Sequence, residues 1–199
     1  MRLTLLICLF IVGLLKLQAQ IGYQLGDSIA PFSLPSINGI DWQLEQSPQG
    51  CIIVFISPSC PIVEMYIDRL QALHREYAPK GFPLVAVNSN YPAISPQDSL
   101  SQLKAFAAKH HFAFPYLWDH QQALARAFGA SRTPQCFLLA RDEQASLRLS
   151  YVGAIDDSPR DASSVKHKYL ETALMQQLQT SPIQQSYTRA AGCGIRWAQ

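Results

Sequence analysis

Two hydrophobic periods alternate along this chain and divide it into elements. Cys51 to Ile56 is an unbroken apolar run of strand length, rich in β-branched residues, and it predicts a buried central strand. Ser57, Pro58 and Ser59 stop it. After Cys60 and Pro61, apolar residues recur at spacings of three and four (Val63, Tyr66, Ile67, Leu70, Leu73, Tyr77), which predicts a helix of about 18 residues ending near Pro79-Lys80-Gly81. Phe82 to Val87 is a second buried strand, running into Asn88-Ser89-Asn90. Upstream, Asn38-Gly39 between the strand-like pieces F-S-L-P and I-D-W-Q-L signals a hairpin laid against the main sheet.

The same reading continues downstream. Asp98-Ser99 reads as a cap for a helix that turns Leu100, Leu103, Phe106 and Ala107 inward and closes at His110-His111. Phe114 to Leu117 is extended, and Gln121 to Phe128 is a short helix closed by Gly129. Arg132-Thr133-Pro134-Gln135 leads into a strand from Cys136 to Ala140, where the proline is tolerated at the strand's start. A turn-rich gap then leads to Leu147 to Ala154, an antiparallel partner, and a last helix runs from about Ser164 to Leu178. From there to Gln199 no periodicity is legible.

A strand, a helix and a strand make a crossover unit with parallel strands, whereas the later pair is antiparallel, so the central sheet is mixed. Ligands of such sheets sit beyond the carboxyl ends of the strands, where Cys60 and the Asn88-Ser89-Asn90 loop both fall. The chain divides into residues 1–19, 20–178 and 179–199. The first has a basic start at Arg2, an apolar core from Leu3 to Leu15 and a cleavage-compatible Leu17-Gln18-Ala19, and it reads as a signal peptide. The second is one α/β domain with a full core, and the third is a tail carrying Cys193.

Removal of residues 1–19 takes the formal charge from +2 to zero, which gives no case for nucleic acid or an anionic membrane as partner. It leaves Cys51, Cys60, Cys136 and Cys193, in a chain destined for a periplasmic or other extracytoplasmic compartment where a disulfide is possible. Their wide spacing lacks the paired knuckles of structural zinc. The adjacent pair His110-His111 points about 100° apart on a helix and chelates poorly, so no metal or cofactor is expected.

Chemistry concentrates at Cys60. A sulfur at the start of a helix meets unpaired N–H groups and the positive end of the helix dipole. Such thiols have pKa values of roughly 3.5 to 7.5, against about 8.5 for a free one. A small buried residue at a strand-helix junction is the alternative. Cys193 lies between glycines in a segment read as flexible, which suits a resolving thiol; Ile195 and Trp197 point to some packing of that segment. Cys51 and Cys136 lie inside strand patterns and read as buried and inert.

The order of elements, with a cysteine at the first strand-helix junction and Thr133-Pro134 before a main strand, resembles the thioredoxin-like fold: a mixed central sheet flanked by helices, here with an N-terminal β-hairpin. The resemblance implies a cis Thr133-Pro134 bond packed beside the reactive sulfur. The opening G-D-S-I-A-P-F-S-L is similar to the redoxin branch, which includes alkyl hydroperoxide reductases and thiol-specific antioxidant proteins. Cys60-Pro61, Asp68-Arg69-Leu70, Val87 to Asn90, Phe114-Pro115, Arg132 to Pro134, Gly153 to Asp157 and Gly192 to Ile195 resemble a peroxiredoxin-like thioredoxin subfamily.

What this resemblance implies is a thiol oxidoreductase that attacks with Cys60, resolves with Cys193, and uses Ser57, Thr133, Pro134 and Arg132 around the sulfur. Ser57 occupies the position of the first thioredoxin cysteine, which excludes disulfide exchange by a simple C-x-x-C pair. As a peroxiredoxin, the chain keeps a hydroxyl residue three positions before Cys60 but has Ile53 where that family has proline, with Arg132 standing in for its site arginine. Ser57 is expected to hydrogen-bond the thiolate. The substrate is a peroxide or a protein disulfide, with an external thiol as electron donor. A metal-handling or partner-binding protein, holding copper(I) on Cys60, Cys193 and a histidine, is the alternative.

Overall fold

The computed structural model describes residues 22–199; the segment read as a signal peptide, 1–19, lies outside the described residues. Four elements build the centre: β3 (Gly50–Phe55), β4 (Leu84–Asn88), β7 (Gln135–Arg141) and β8 (Leu147–Gly153). With β5 (Tyr116–Trp118) they form one sheet in the order β5-β4-β3-β7-β8. The pairs β3-β4 and β4-β5 are parallel, and β3-β7 and β7-β8 antiparallel, so the sheet is mixed as the sequence predicts.

Every residue of β3 is buried because both faces of the sheet are covered. Ile52, Val54 and Ile56 point into one core with α2 (Ile67–Tyr77), α3 (Leu100–Lys109) and α5 (Tyr169–Leu178). Cys51, Ile53 and Phe55 point into a second core with Phe128 of α4 (Ala123–Phe128) and Trp42 of the hairpin. Burial of each large aliphatic side chain there contributes roughly 1.5–3 kcal/mol. The hairpin itself, β1 (Ser33–Pro35) and β2 (Asp41–Gln43), docks on β5 through the amide of Ile37, which donates to the Tyr116 carbonyl at 2.8 Å.

Three elements depart from the sequence reading. The long helix after Cys60 is two: α1 (Pro61–Glu64) and α2, separated at Met65-Tyr66. There the Tyr66 amide reaches back three residues, to Val63, and the Met65 carbonyl accepts from Arg69 at 3.2 Å. The spacing of three and four survives such a break, so periodicity alone does not reveal it. The last helix starts at Tyr169, because Asp161 caps a separate turn over Ala162–Ser164 by accepting from the Ser163 amide.

The third departure is the tail, which packs along the domain. Val152 on the outer strand β8 donates to the Ser186 carbonyl and accepts from the Thr188 amide, so the tail covers that edge. Further on, β9 (Cys193–Gly194) pairs antiparallel with β6 (Arg132–Thr133), matching Cys193 with Thr133. Gly192 is required there by space: a Cβ would lie 2.2 Å from the Thr133 carbonyl oxygen. Gly194 has no such neighbour.

Candidate active site

Cys60 is the residue before α1, with Pro61 opening that helix, and it lies just past the end of β3. It is 1 % exposed. Its sulfur is bonded to that of Cys193, with 5.8 Å between the Cα atoms and a sequence separation of 133. The ladder of β6 and β9 sets this distance, because Thr133, opposite Cys193, also offers its carbonyl oxygen 3.1 Å from the Cys60 sulfur. The Thr133-Pro134 bond is cis. On the far side of Pro134 a cavity of about 230 Å³ is lined by Tyr66, Ile155, Asp156, Tyr169 and Arg189.

Ser57 and Arg132 stand differently from the sequence expectation. Ser57 is fully buried, and its hydroxyl donates to Asp98 Oδ1 at 2.6 Å. A hydroxyl has a single proton to give, so Ser57 is committed to Asp98 and not to the sulfur of Cys60. Arg132 is exposed and donates to the Gly192 carbonyl at 3.3 Å, on the tail one residue before Cys193. Thr133 is buried, and its hydroxyl has no partner.

Asp98 is the element that sequence reading missed. Placed before α3, it looks like a helix cap, yet it is completely buried and its carboxylate faces the loop that carries Cys60. Besides Ser57, it accepts from Ser59 Oγ at 2.7 Å, Asn88 Nδ2 at 2.7 Å, Asn90 Nδ2 at 3.0 Å and Ser95 Oγ at 2.5 Å. One carboxylate therefore ties the loop before Cys60 to the loop after β4. An unpaired buried carboxylate costs several kcal/mol, and this set of donors offsets that cost.

The resemblance motifs Asp68-Arg69-Leu70 and Gly153 to Asp157 meet at a second contact. Arg69 pairs with the buried Asp156 at 2.6 Å and also donates to the carbonyls of Ser158 and Pro159. Tyr66 donates to the other oxygen of Asp156 at 2.7 Å, and burial together with that carboxylate pushes the phenol above its ordinary range. These bonds hold the start of α2 against the loop after β8.

The remaining cysteines are not bonded to the pair: Cys51 is at the far end of β3, and Cys136 opposes Val54 near its carboxyl end. Cys51 and Cys136 are free and completely buried, on opposite faces of the sheet. Burial pushes the Cys51 thiol up to about 12, with Ser47 and Arg141 offsetting only part of the rise. Cys136 is pushed up as well, by burial first and then by the charge of Asp156. Among the described residues no group of three or more His, Cys, Asp or Glu is arranged to hold a metal ion.

Comparison with known proteins places the chain. The AhpC/TSA family matches residues 25–153. The crystal structure of an uncharacterised conserved protein from Geobacillus kaustophilus superimposes with a TM-score of 0.80 at 33 % identity, covering 88 % of this chain and 93 % of that one. Two proteins named thiol-disulfide oxidoreductase ResA are also similar. The one from Halalkalibacterium halodurans is 25 % identical over 115 residues, 57 % of this chain and 61 % of that protein, so the match spans less than two thirds of its length. The one from Geobacillus kaustophilus is 23 % identical over 167 residues, 77 % of this chain and 92 % of that protein. With the family match running from ahead of the hairpin to the end of β8, and the mixed sheet and the cysteine at the strand-helix junction in place, this chain belongs to the AhpC/TSA family.

Proposed function

We propose that the chain is an exported thiol-disulfide oxidoreductase in which Cys60 attacks and Cys193 resolves. The observation that carries this reading is the bond between these two cysteines at the carboxyl edge of the sheet, with Cys193 held in register against Thr133. In the dithiol form the Cys60 thiolate attacks a protein disulfide and forms a mixed disulfide, releasing one substrate sulfur as a thiol. The Cys193 thiolate then attacks the Cys60 sulfur, the mixed disulfide breaks, and the second substrate sulfur leaves and takes a proton from solvent. The substrate gains two electrons and the Cys60–Cys193 pair loses them. An external thiol reopens the pair. Thr133 and Pro134 shape the docking edge, and Arg132 steadies the tail through the Gly192 carbonyl.

A disulfide substrate suits this site better than a peroxide. Peroxide activation needs donors aimed at the reacting oxygens, but the Ser57 proton goes to Asp98 and Arg132 is turned to the tail. The two similar proteins named as thiol-disulfide oxidoreductases support the same choice.

The test is turnover of a protein disulfide with dithiothreitol as donor. Cys60→Ser is expected to fall to the background rate, and reduced Cys193→Ser, freed of dithiothreitol and mixed with the disulfide substrate, to accumulate a mixed disulfide between Cys60 and substrate, read by intact mass. Unchanged turnover in Cys60→Ser would overturn the assignment.

A further inference from the structure

The tail beyond Cys193 is held by contacts that involve neither sulfur. The Ile195 amide donates to the Ser131 carbonyl at 3.1 Å. The Arg196 amide donates to Asn90 Oδ1 at 2.8 Å, and its carbonyl accepts from the Tyr91 amide at 2.8 Å and from Gln122 Nε2 at 2.8 Å. The Ala198 amide donates to Gln122 Oε1 at 2.8 Å. Gln122 thus reads a carbonyl and an amide two residues apart with the two ends of one side-chain amide, as a neighbouring strand would. Asn90 and Gln122 are 3 % and 1 % exposed, and each is fixed from behind, Asn90 by Asp98 and Gln122 by the Ser89 carbonyl.

Apolar contacts point the same way. Ile195 enters the core on the face of the sheet opposite Cys60, and the Arg126 guanidinium lies 4.7 Å over the Trp197 ring. Opening the bond between the sulfurs removes none of these contacts.

We infer that Asn90 and Gln122 are positioning residues: they form a dock for Ile195–Ala198 that keeps Cys193 beside Cys60 in the dithiol form as well as in the disulfide. The inference rests on the oxidoreductase reading and deepens it. A docked tail turns resolution into a reaction between groups already in place, with a high effective concentration of the second thiol. The attack of Cys193 then outruns escape of the mixed disulfide by other routes. Asn90 also joins the two sulfurs' supports, because its amide nitrogen donates to the carboxylate that braces Ser57 and Ser59, while its oxygen holds the tail.

Equilibration of the whole chain with reduced and oxidised glutathione tests this. Gln122→Met keeps the volume and removes the bonds to Arg196 and Ala198; Trp197→Ala weakens the dock from the tail side and leaves Gln122 intact. Each is expected to open the pair at an about tenfold lower ratio of squared reduced to oxidised glutathione, which is about threefold less reduced glutathione at fixed oxidised glutathione and a rise of about 30 mV, and to accumulate a Cys60–glutathione mixed disulfide. Potentials equal to that of the unaltered chain in both variants would overturn the dock. Amide hydrogen exchange in Cys60→Ser, which cannot close the bond, supplies an independent reading. Protection at Ile195, Arg196 and Ala198 equal to that in the oxidised chain is expected, and unprotected exchange there would overturn the proposal. Were glutathione unable to open the pair at any ratio, the oxidoreductase reading would fall, and the exchange measurement would still decide for or against the dock.

Discussion

Cys51 and Cys60 are nine residues apart and live under opposite physics. Cys51 is inside β3, surrounded by apolar side chains, and its thiol is pushed up to about 12. Cys60 is past the end of the same strand, at the border of the core on the other face of the sheet, where the Thr133 carbonyl oxygen lies 3.1 Å from its sulfur, and it is bonded to Cys193. Cys136, in the partner strand β7, repeats the lesson of Cys51. Both Cys51 and Cys60 are buried, so exposure does not separate them. What separates them is whether a second sulfur lies within reach. A buried thiol without one is only a small hydrophobic residue.

The widest gap expected from this contrast is kinetic. Because the thiolate is the nucleophile, a pKa of about 12 leaves roughly one thiolate in ten thousand at pH 8. Iodoacetamide at that pH, with the chain folded and reduced, is expected to modify Cys60 and Cys193 about a thousandfold faster than Cys51. Peptide mapping over time would measure this, and comparable rates at Cys51 would erase the distinction.

The next effect concerns what holds the reactive edge. Asp98→Ala would strand the donors of Ser57, Ser59, Ser95, Asn88 and Asn90 in a buried space. It is expected to cost on the order of 3–5 kcal/mol in urea unfolding. A loss below about 1 kcal/mol would mean that the carboxylate does not brace the Cys60 loop.

The smallest expected effect comes from the inert pair. Since the Cys51 thiol titrates near 9 when unfolded and about 12 when folded, the unfolded chain releases its proton first. The stability this thiol contributes is therefore whole below pH 9 and is lost as pH rises toward 12, with a slope of at most about 1.4 kcal/mol per pH unit. Cys51→Ala should flatten that part of the profile, measured by unfolding at constant ionic strength. An unchanged slope would show that Cys51 is not protected by burial.

Much of this arrangement is legible in the residues themselves. The run from Cys51 to Ile56, the break at Ser57 and the proline after Cys60 announce a sulfur at a strand's end, and Asn38-Gly39 announces the hairpin. The carboxylate of Asp98 is not legible, because its partners come from separate loops and Asp before Ser and an apolar run is also how a helix cap reads. The tail hides for a similar reason. Its backbone is bound by side-chain amides of Asn90 and Gln122, and that kind of pairing imposes no hydrophobic period on residues 193–198. Ile195 and Trp197, bulky apolar residues, are the signal of packing there, beside the glycine-flanked Cys193.

The separation of 133 residues between Cys60 and Cys193 also sets an order of events during synthesis. At about 5–20 residues per second, Cys60 leaves the ribosome roughly 7 to 27 seconds before its partner. Strands β4, β5, β7 and β8 are all made in that interval, and β6, which places Cys193, is among the later pieces. Throughout it Cys60 has no native partner to bond. The native bond is thus a late event: it cannot form before nearly the whole chain, through residue 193, has been made.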